Sequence, residues 1–190
     1  MKNINKFFLA LFVLIAGANF IYAGGEKVND FKLKDYNGQE HNLSDFKNSK
    51  AIVVIFVATQ CPVSNAYNER MAALFNDYKN KGVEFVGINS NKQESVEEIK
   101  DHAKQHKLDF VILKDENNII ADKFQASVTP EVYVLNKNFE ILYHGRIDDS
   151  RREEDVKTND LRKVLDEILT GKKVETTRTK AFGCTIKRVG

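Results

Sequence analysis

The 190-residue chain carries 29 Lys and Arg against 27 Asp and Glu, and the N-terminal Lys2 and Lys6 account for its formal excess of +2, so no global basic field exists to hold nucleic acid. Its length gives about one domain, large enough for a core that does not depend on disulfides. Only two cysteines are present, Cys61 and Cys184, and they stand too far apart for a CxxC motif.

In chain order, Lys2 and Lys6 precede an apolar run over residues 7–16, and small residues follow at Ala23, Gly24 and Gly25. This pattern predicts a secretory signal over residues 1–23. The run is short for a membrane span, so membrane contact is expected only if the signal stays uncleaved. Export to the periplasm or beyond places the remaining chain where disulfides persist. That chain divides into a domain over residues 24–170 and a basic tail over 171–190, in which six basic residues face the single Glu175. Such a tail either docks on an acidic body or is solvated and mobile.

Phe31 and Leu33 alternate with lysines before an Asn37-Gly38 turn, predicting a hairpin, and residues 44–46 form a short helical turn. Residues 51–57 are a β-branched and aromatic run, expected as a strand buried on both faces. Val63, Tyr67, Met71, Leu74, Phe75 and Tyr78 recur at helical spacing up to Gly82, which ends the helix. A strand follows over 83–88. Ser95 and Glu98 form a capping box for a helix presenting Val96, Ile99 and Ala103. Residues 110–113 read as a strand and 118–124 as a short helix. Residues 132–135 and 140–143 make an antiparallel hairpin. Leu161, Val164, Leu165, Ile168 and Leu169 give a last helix, closed by Gly171. Two β-α-β crossovers feeding a hairpin and a helix predict an α/β three-layer sandwich, a mixed central sheet with helices on both faces. The thioredoxin-like fold fits that order.

Cys61 follows the buried strand, and Pro62 opens the helical pattern. Backbone N–H groups and the helix dipole at that point favour a thiolate, hence a nucleophile. Thr129-Pro130 precedes a strand, where thioredoxin-like proteins hold a cis proline beside the sulfur. Arg146 follows a strand end, where it either offers a guanidinium to the thiolate or pairs with Asp148 or Asp149. His102 and His106 stand one helical turn apart but lack a third ligand at a metal-site spacing, and read as an exposed helix face. Gly183 gives the tail the backbone freedom to turn Cys184 toward Cys61. A permanent Cys61–Cys184 staple is the alternative to a redox pair, contributing about 4 to 5 kcal/mol by loop entropy.

The segments Val57-Ala58-Thr59-Gln60-Cys61-Pro62, Gly87-Ile88-Asn89-Ser90-Asn91, Thr129-Pro130, Gly145-Arg146-Ile147-Asp148-Asp149 and Ala181-Phe182-Gly183-Cys184-Thr185-Ile186-Lys187 together resemble exported redoxins of the alkyl hydroperoxide reductase/thiol-specific antioxidant branch of the thioredoxin superfamily. The resemblance covers nearly all of the chain after the signal. It implies thiol redox chemistry without a cofactor: Cys61 attacks a disulfide or hydroperoxide, Cys184 resolves the product, and an external thiol reduces the pair. Thr59, Pro62, Thr129, Pro130 and Arg146 are the expected supporting residues. The chain departs from relatives in two places. The peroxiredoxin loop Pro-x-x-x-Thr-x-x-Cys has Val54 and Ala58 at its Pro and Thr positions, which speaks against efficient peroxide turnover. The thioredoxin Trp-Cys-x-x-Cys has Gln60 and Ser64 at its Trp and second Cys positions, which excludes ordinary dithiol exchange. A thiol–disulfide oxidoreductase, a thiol peroxidase and a non-catalytic binding domain with a structural bridge all remain open.

Overall fold

The computed structural model describes residues 26–190; the expected signal over 1–23 lies outside the described residues. The N-terminal hairpin is β1 (Lys32–Asp35) and β2 (Glu40–Asn42). Asp35 fixes its turn by accepting N–H groups from Asn37 and Gln39, and Gly38 supplies a φ of +83°. Then come β3 (Ala51–Phe56), α1 (Pro62–Asn65), α2 (Asn68–Tyr78), β4 (Val83–Asn89), α3 (Val96–Gln105), β5 (Val111–Lys114) and α4 (Ile119–Phe124). The remainder is β6 (Val128–Thr129), β7 (Glu131–Leu135), β8 (Ile141–Gly145), α5 (Asp160–Leu169) and β9 (Cys184–Thr185).

The main sheet has the order β2-β1-β5-β4-β3-β7-β8. β3, β4 and β5 run parallel through the α2 and α3 crossovers, and the outer pairings are antiparallel. Every residue of β3 is buried, because each face is covered. Ala51, Val53 and Ile55 pack with Met71 and Leu74 of α2, Ile99 of α3 and Leu161, Val164 and Leu165 of α5. Ile52, Val54 and Phe56 meet Leu43, Ile120, Ala121 and Phe124 on the opposite face. The strand's period of two thus feeds two cores.

The structure differs from the expected elements in two places that matter for the sulfurs. The single helix expected over 63–78 is broken at Ala66–Tyr67, where Tyr67 N–H bonds back only three residues, to Ser64 O (3.0 Å). The break turns Tyr67 inward, where its hydroxyl donates to Asp148 (3.0 Å) and lies 2.8 Å from Ser150 O. The second difference is β6 with β9, an antiparallel pair apart from the main sheet. It belongs to a docked tail, so of the two expectations for the basic segment docking is the one realised. Val174 and Ile186 are buried, worth roughly 1.5 to 3 kcal/mol each by transfer. Main-chain bonds carry much of the rest: Thr179 N–H to His144 O, Ile186 N–H to Ser127 O and Lys92 N–H to Lys187 O. Asn91 and Asn118 side-chain oxygens accept the N–H groups of Lys187 and Val189, and Arg188 pairs with Asp122.

Candidate active site

β3 delivers the chain to a loop that a buried carboxylate holds. Glu94, 2% exposed, accepts the N–H groups of Thr59 (2.8 Å) and Gln60 (3.0 Å) and the side-chain amide of Asn89 (2.5 Å). From the other side Ser64 Oγ accepts the Ala58 N–H (3.2 Å), and the Asn65 amide donates to Thr59 O (2.8 Å). Thr59 Oγ1 and Asn65 Oδ1 are buried with no hydrogen-bond partner among the described residues. Cys61 then occupies the N-cap of α1, with its Sγ accepting the Ser64 N–H at 3.2 Å. Pro62 sits at the first helical position, where a missing N–H costs nothing. Because α1 is four residues long, this direct bond, more than a macrodipole, is what favours sulfur anion there.

The second wall is the loop before β7. The Thr129-Pro130 peptide is cis, and Thr129 O stands 3.3 Å from Cys61 Sγ, a contact that only the free thiol turns into a hydrogen bond. Thr129 is also in register with Cys184 across β6 and β9. One residue therefore faces both cysteines. They are joined as a disulfide with Cα atoms 5.8 Å apart, inside the range a bridge accepts. Cys61 is 4% exposed, whereas Cys184 is partly exposed. Gly183 serves a purpose other than the expected one. Its φ is not in the left-handed region, but a Cβ there would collide with the Thr129 carbonyl, so close backbone approach is what requires glycine.

Arg146 is corrected on both of its expected roles. Its guanidinium donates to Asp160 (2.7 Å) and reaches Thr158, on the α5 side, and makes no hydrogen bond to the Cys61 loop. Asp148 pairs with Arg70 instead (2.5 Å), and Asp149 accepts the N–H groups of Lys157 and Thr158. The arginines that reach α1 are Arg70, through Ala66 O (3.2 Å), and Arg151, through Pro62 O (3.4 Å). Arg70 also lies over the Tyr67 ring at 3.7 Å, and Phe182 of the tail meets the same ring edge-on, with centroids 6.3 Å apart. Burial and then the Asp148 charge push the Tyr67 hydroxyl pKa up, so Tyr67 stays a neutral donor. His102 is not on an open face: its ring meets the Asn68 amide at 3.1 Å and lies 4.4 Å from the His106 ring. Burial and then His106 lower its pKa.

Sequence reasoning missed Glu94 and Glu131, because each reads as one more acid in a polar stretch. Glu131 opens β7 directly after the cis peptide and is 4% exposed. Burial opposes its ionisation, but hydrogen bonds from His144 and the Ser127 and Val128 N–H groups hold its carboxyl below the usual value. The two buried carboxylates thus pin the two loops that flank the bridge.

The model of the AhpC/TSA family matches residues 24–150, a span that includes Cys61 and the Thr129-Pro130 loop and stops short of Cys184. Among curated proteins, the chain is 31% identical over 125 residues to chloroplastic peroxiredoxin Q of Sedum lineare, covering 61% of this chain and 66% of that protein. It is 30% identical over 120 residues to the thiol-disulfide oxidoreductase ResA of Geobacillus kaustophilus, covering 63% and 67%. The chain thus spans about two thirds of the length of these relatives. Among solved structures, a hypothetical protein from Sinorhizobium meliloti 1021 superposes with a TM-score of 0.82 at 33% identity, covering 87% of this chain and 94% of that one. The fold is thioredoxin-like, as the order of elements indicated. With two thirds of its length under the family model and its nucleophile candidate at the strand-to-helix junction, the chain belongs to the AhpC/TSA family.

Proposed function

We propose that this protein is a thiol–disulfide oxidoreductase of the redoxin type. The Cys61 thiolate attacks a disulfide sulfur, expelling a thiolate and forming a mixed disulfide, or attacks a hydroperoxide, forming a sulfenic acid and releasing an alcohol or water. Cys184 then attacks the Cys61 sulfur, closing the internal bridge and releasing the second thiol or water. An external thiol reductant reopens it. Thr59, Pro62, Thr129 and Pro130 shape the site around the sulfurs, and Arg146 is left out on the grounds of its Asp160 pairing. The observation that carries the reading is the bridge itself, which spans the N-terminus of α1 and the strand beside the cis proline. A permanent staple is the weaker account, because buried side chains and main-chain bonds anchor the tail on both sides of Cys184. In this reading residues 1–23 export the protein, 24–170 form the redoxin domain, and the basic tail over 171–190 supplies the resolving thiol.

The test is peptide mapping after one equivalent of cystine or hydrogen peroxide. Wild-type protein is expected to form the internal disulfide, and Cys184→Ser to accumulate Cys61 sulfenic acid or mixed disulfide. Identical Cys61 products in both, with Cys184 free in wild type, would overturn a resolving role. A thiol peroxidase is the second reading, favoured by the peroxiredoxin Q relative and opposed by Ala58 at the position of the peroxiredoxin Thr. Fast, saturable peroxide consumption in a stopped-flow assay would reverse that ranking.

A further inference from the structure

Glu131 has more partners than a strand residue needs. One carboxylate oxygen accepts the N–H groups of Ser127 (2.8 Å) and Val128 (3.1 Å). The other accepts from His144 Nε2 (2.6 Å) and lies 3.2 Å from the Tyr133 hydroxyl, whose one proton goes to Phe124 O at 2.7 Å. A carboxylate taken out of water costs several kcal/mol unless such partners replace the lost hydration. An apolar residue would suit the buried start of β7 at no such cost, so the benefit of Glu131 lies elsewhere.

It lies in β6. The segment whose N–H groups Glu131 holds is the one that receives the tail: Ser127 O accepts the Ile186 N–H (3.0 Å), Thr129 is in register with Cys184, and Thr129 O faces Cys61 Sγ. His144 ties in the other end of the same tail. Its N–H donates to Thr177 O and its carbonyl accepts from Thr179 N–H, both at 3.0 Å. The imidazole meanwhile stacks on Tyr133 with centroids 4.1 Å apart. The Glu131–His144 pair therefore joins, through one 2.6 Å bond, the carboxylate that holds β6 and the strand β8 on which residues 177–179 of the tail dock.

We propose that Glu131, oriented by His144, is a positioning residue for the redox pair. By fixing residues 127–129 it sets the effective concentration at which Cys184 meets Cys61, without touching either sulfur. The proposal rests on the redox reading above and adds to it a residue that decides how readily the internal bridge closes.

The test equilibrates the full chain in glutathione redox buffers of stepped ratio, followed by acid quench, alkylation and peptide mapping. Glu131→Gln keeps the side-chain volume but puts an amide N–H₂ where one set of donors expects an oxygen. Losing a charge-assisted bond of this kind corresponds to a drop in effective concentration of about tenfold or more. His144→Gln is expected to fall less, and the double variant to fall by less than the product of the two, since they act through one bond. Tyr78→Phe removes a buried hydroxyl bonded to Asp166 (2.7 Å) at the distant α2–α5 contact and serves as the control: it lowers Tm and leaves the equilibrium unchanged. Wild-type equilibria in Glu131→Gln and His144→Gln, whatever their Tm, would overturn the proposal. A wild-type bridge that glutathione never opens would overturn the redox reading itself and this inference with it; an open, exchanging wild type with insensitive variants sinks the inference alone.

Discussion

The two cysteines of one bridge are held by opposite means. Cys61 sits in a loop whose contacts are mostly short-range, from Ser64 and Asn65, backed by Glu94 from the neighbouring strand end. Cys184 has almost no local support: it is placed by a two-residue ladder to β6, by Ile186 below it and by glycine beside it. The nucleophile candidate is thus preformed by its own neighbourhood, and its partner is delivered by packing from a remote segment. Local and delivered geometry should fail independently, which gives the comparison its tests.

The largest expected effect is on the local side. Glu94→Ala leaves the N–H groups of Thr59 and Gln60 without acceptors, at about 1 to 3 kcal/mol each. Chemical denaturation should show the loss, and the rate of Cys61 alkylation should change, while tail amides keep their exchange protection up to global unfolding. On the delivered side the counterpart is Gly183→Ala, whose methyl group has no room beside the Thr129 carbonyl. Overpacking of this kind costs about 1 to 3 kcal/mol. Internal bridge formation after oxidant should fall sharply, with Cys61 still reacting at its wild-type rate. If Cys61 slowed equally, the two regions would not be separable.

Cys184→Ser sharpens the same contrast by removing the bridge and nothing else. Loop entropy predicts a loss of up to about 4 to 5 kcal/mol, but the N–H groups of Ile186 and Lys187 should stay protected in hydrogen exchange because Ser127 and Asn91 still accept them. Full exposure of those amides would mean that the bridge alone holds the tail.

The smallest effect is pH-dependent and separates the regions by range. His102 has a folded pKa below its ordinary 6.5, so the unfolded chain binds more protons and stability falls as pH drops below about 6.5. Glu131 also has a lowered folded pKa, against an ordinary 4.5. Its contribution is present above that value and is lost only as pH falls through the folded pKa. Hydrogen exchange between pH 7 and 5 should therefore weaken the α2–α3 contact first and spare the β6–β9 ladder. His102→Asn should flatten the first phase.

Legibility in the sequence follows the same division. Cys61 and Pro62 are readable because a strand end and a helix start are local signals, and β3 to β5 are readable as apolar runs; the cis state of Thr129-Pro130 follows only from the likeness to the thioredoxin-like fold, since an X-Pro by itself favours trans. The β6–β9 ladder is not readable, since two-residue strands are too short to show alternation. Glu94 and Glu131 look like surface acids in sequence, because burial comes from elements far along the chain. Arg146 was misassigned for a related reason: a guanidinium on a long side chain takes whichever carboxylate the fold brings near, and α5 brought Asp160. The helix break at Tyr67 had no Pro or Gly to announce it; a tyrosine hydroxyl finding Asp148 across 81 residues leaves no local trace.

The 123-residue span between the cysteines also has a consequence for the order of events during synthesis. Domains assemble from the N-terminal end as the chain emerges, so Cys61 is made, and its strand, loop and helix can form, well before Cys184 exists. The receiving strand β6 must fold around its own carboxylate before the tail has anything to pair with. Contacts this remote in sequence close late. Formation of the bridge therefore reports that the tail has reached β6, the last step in that order.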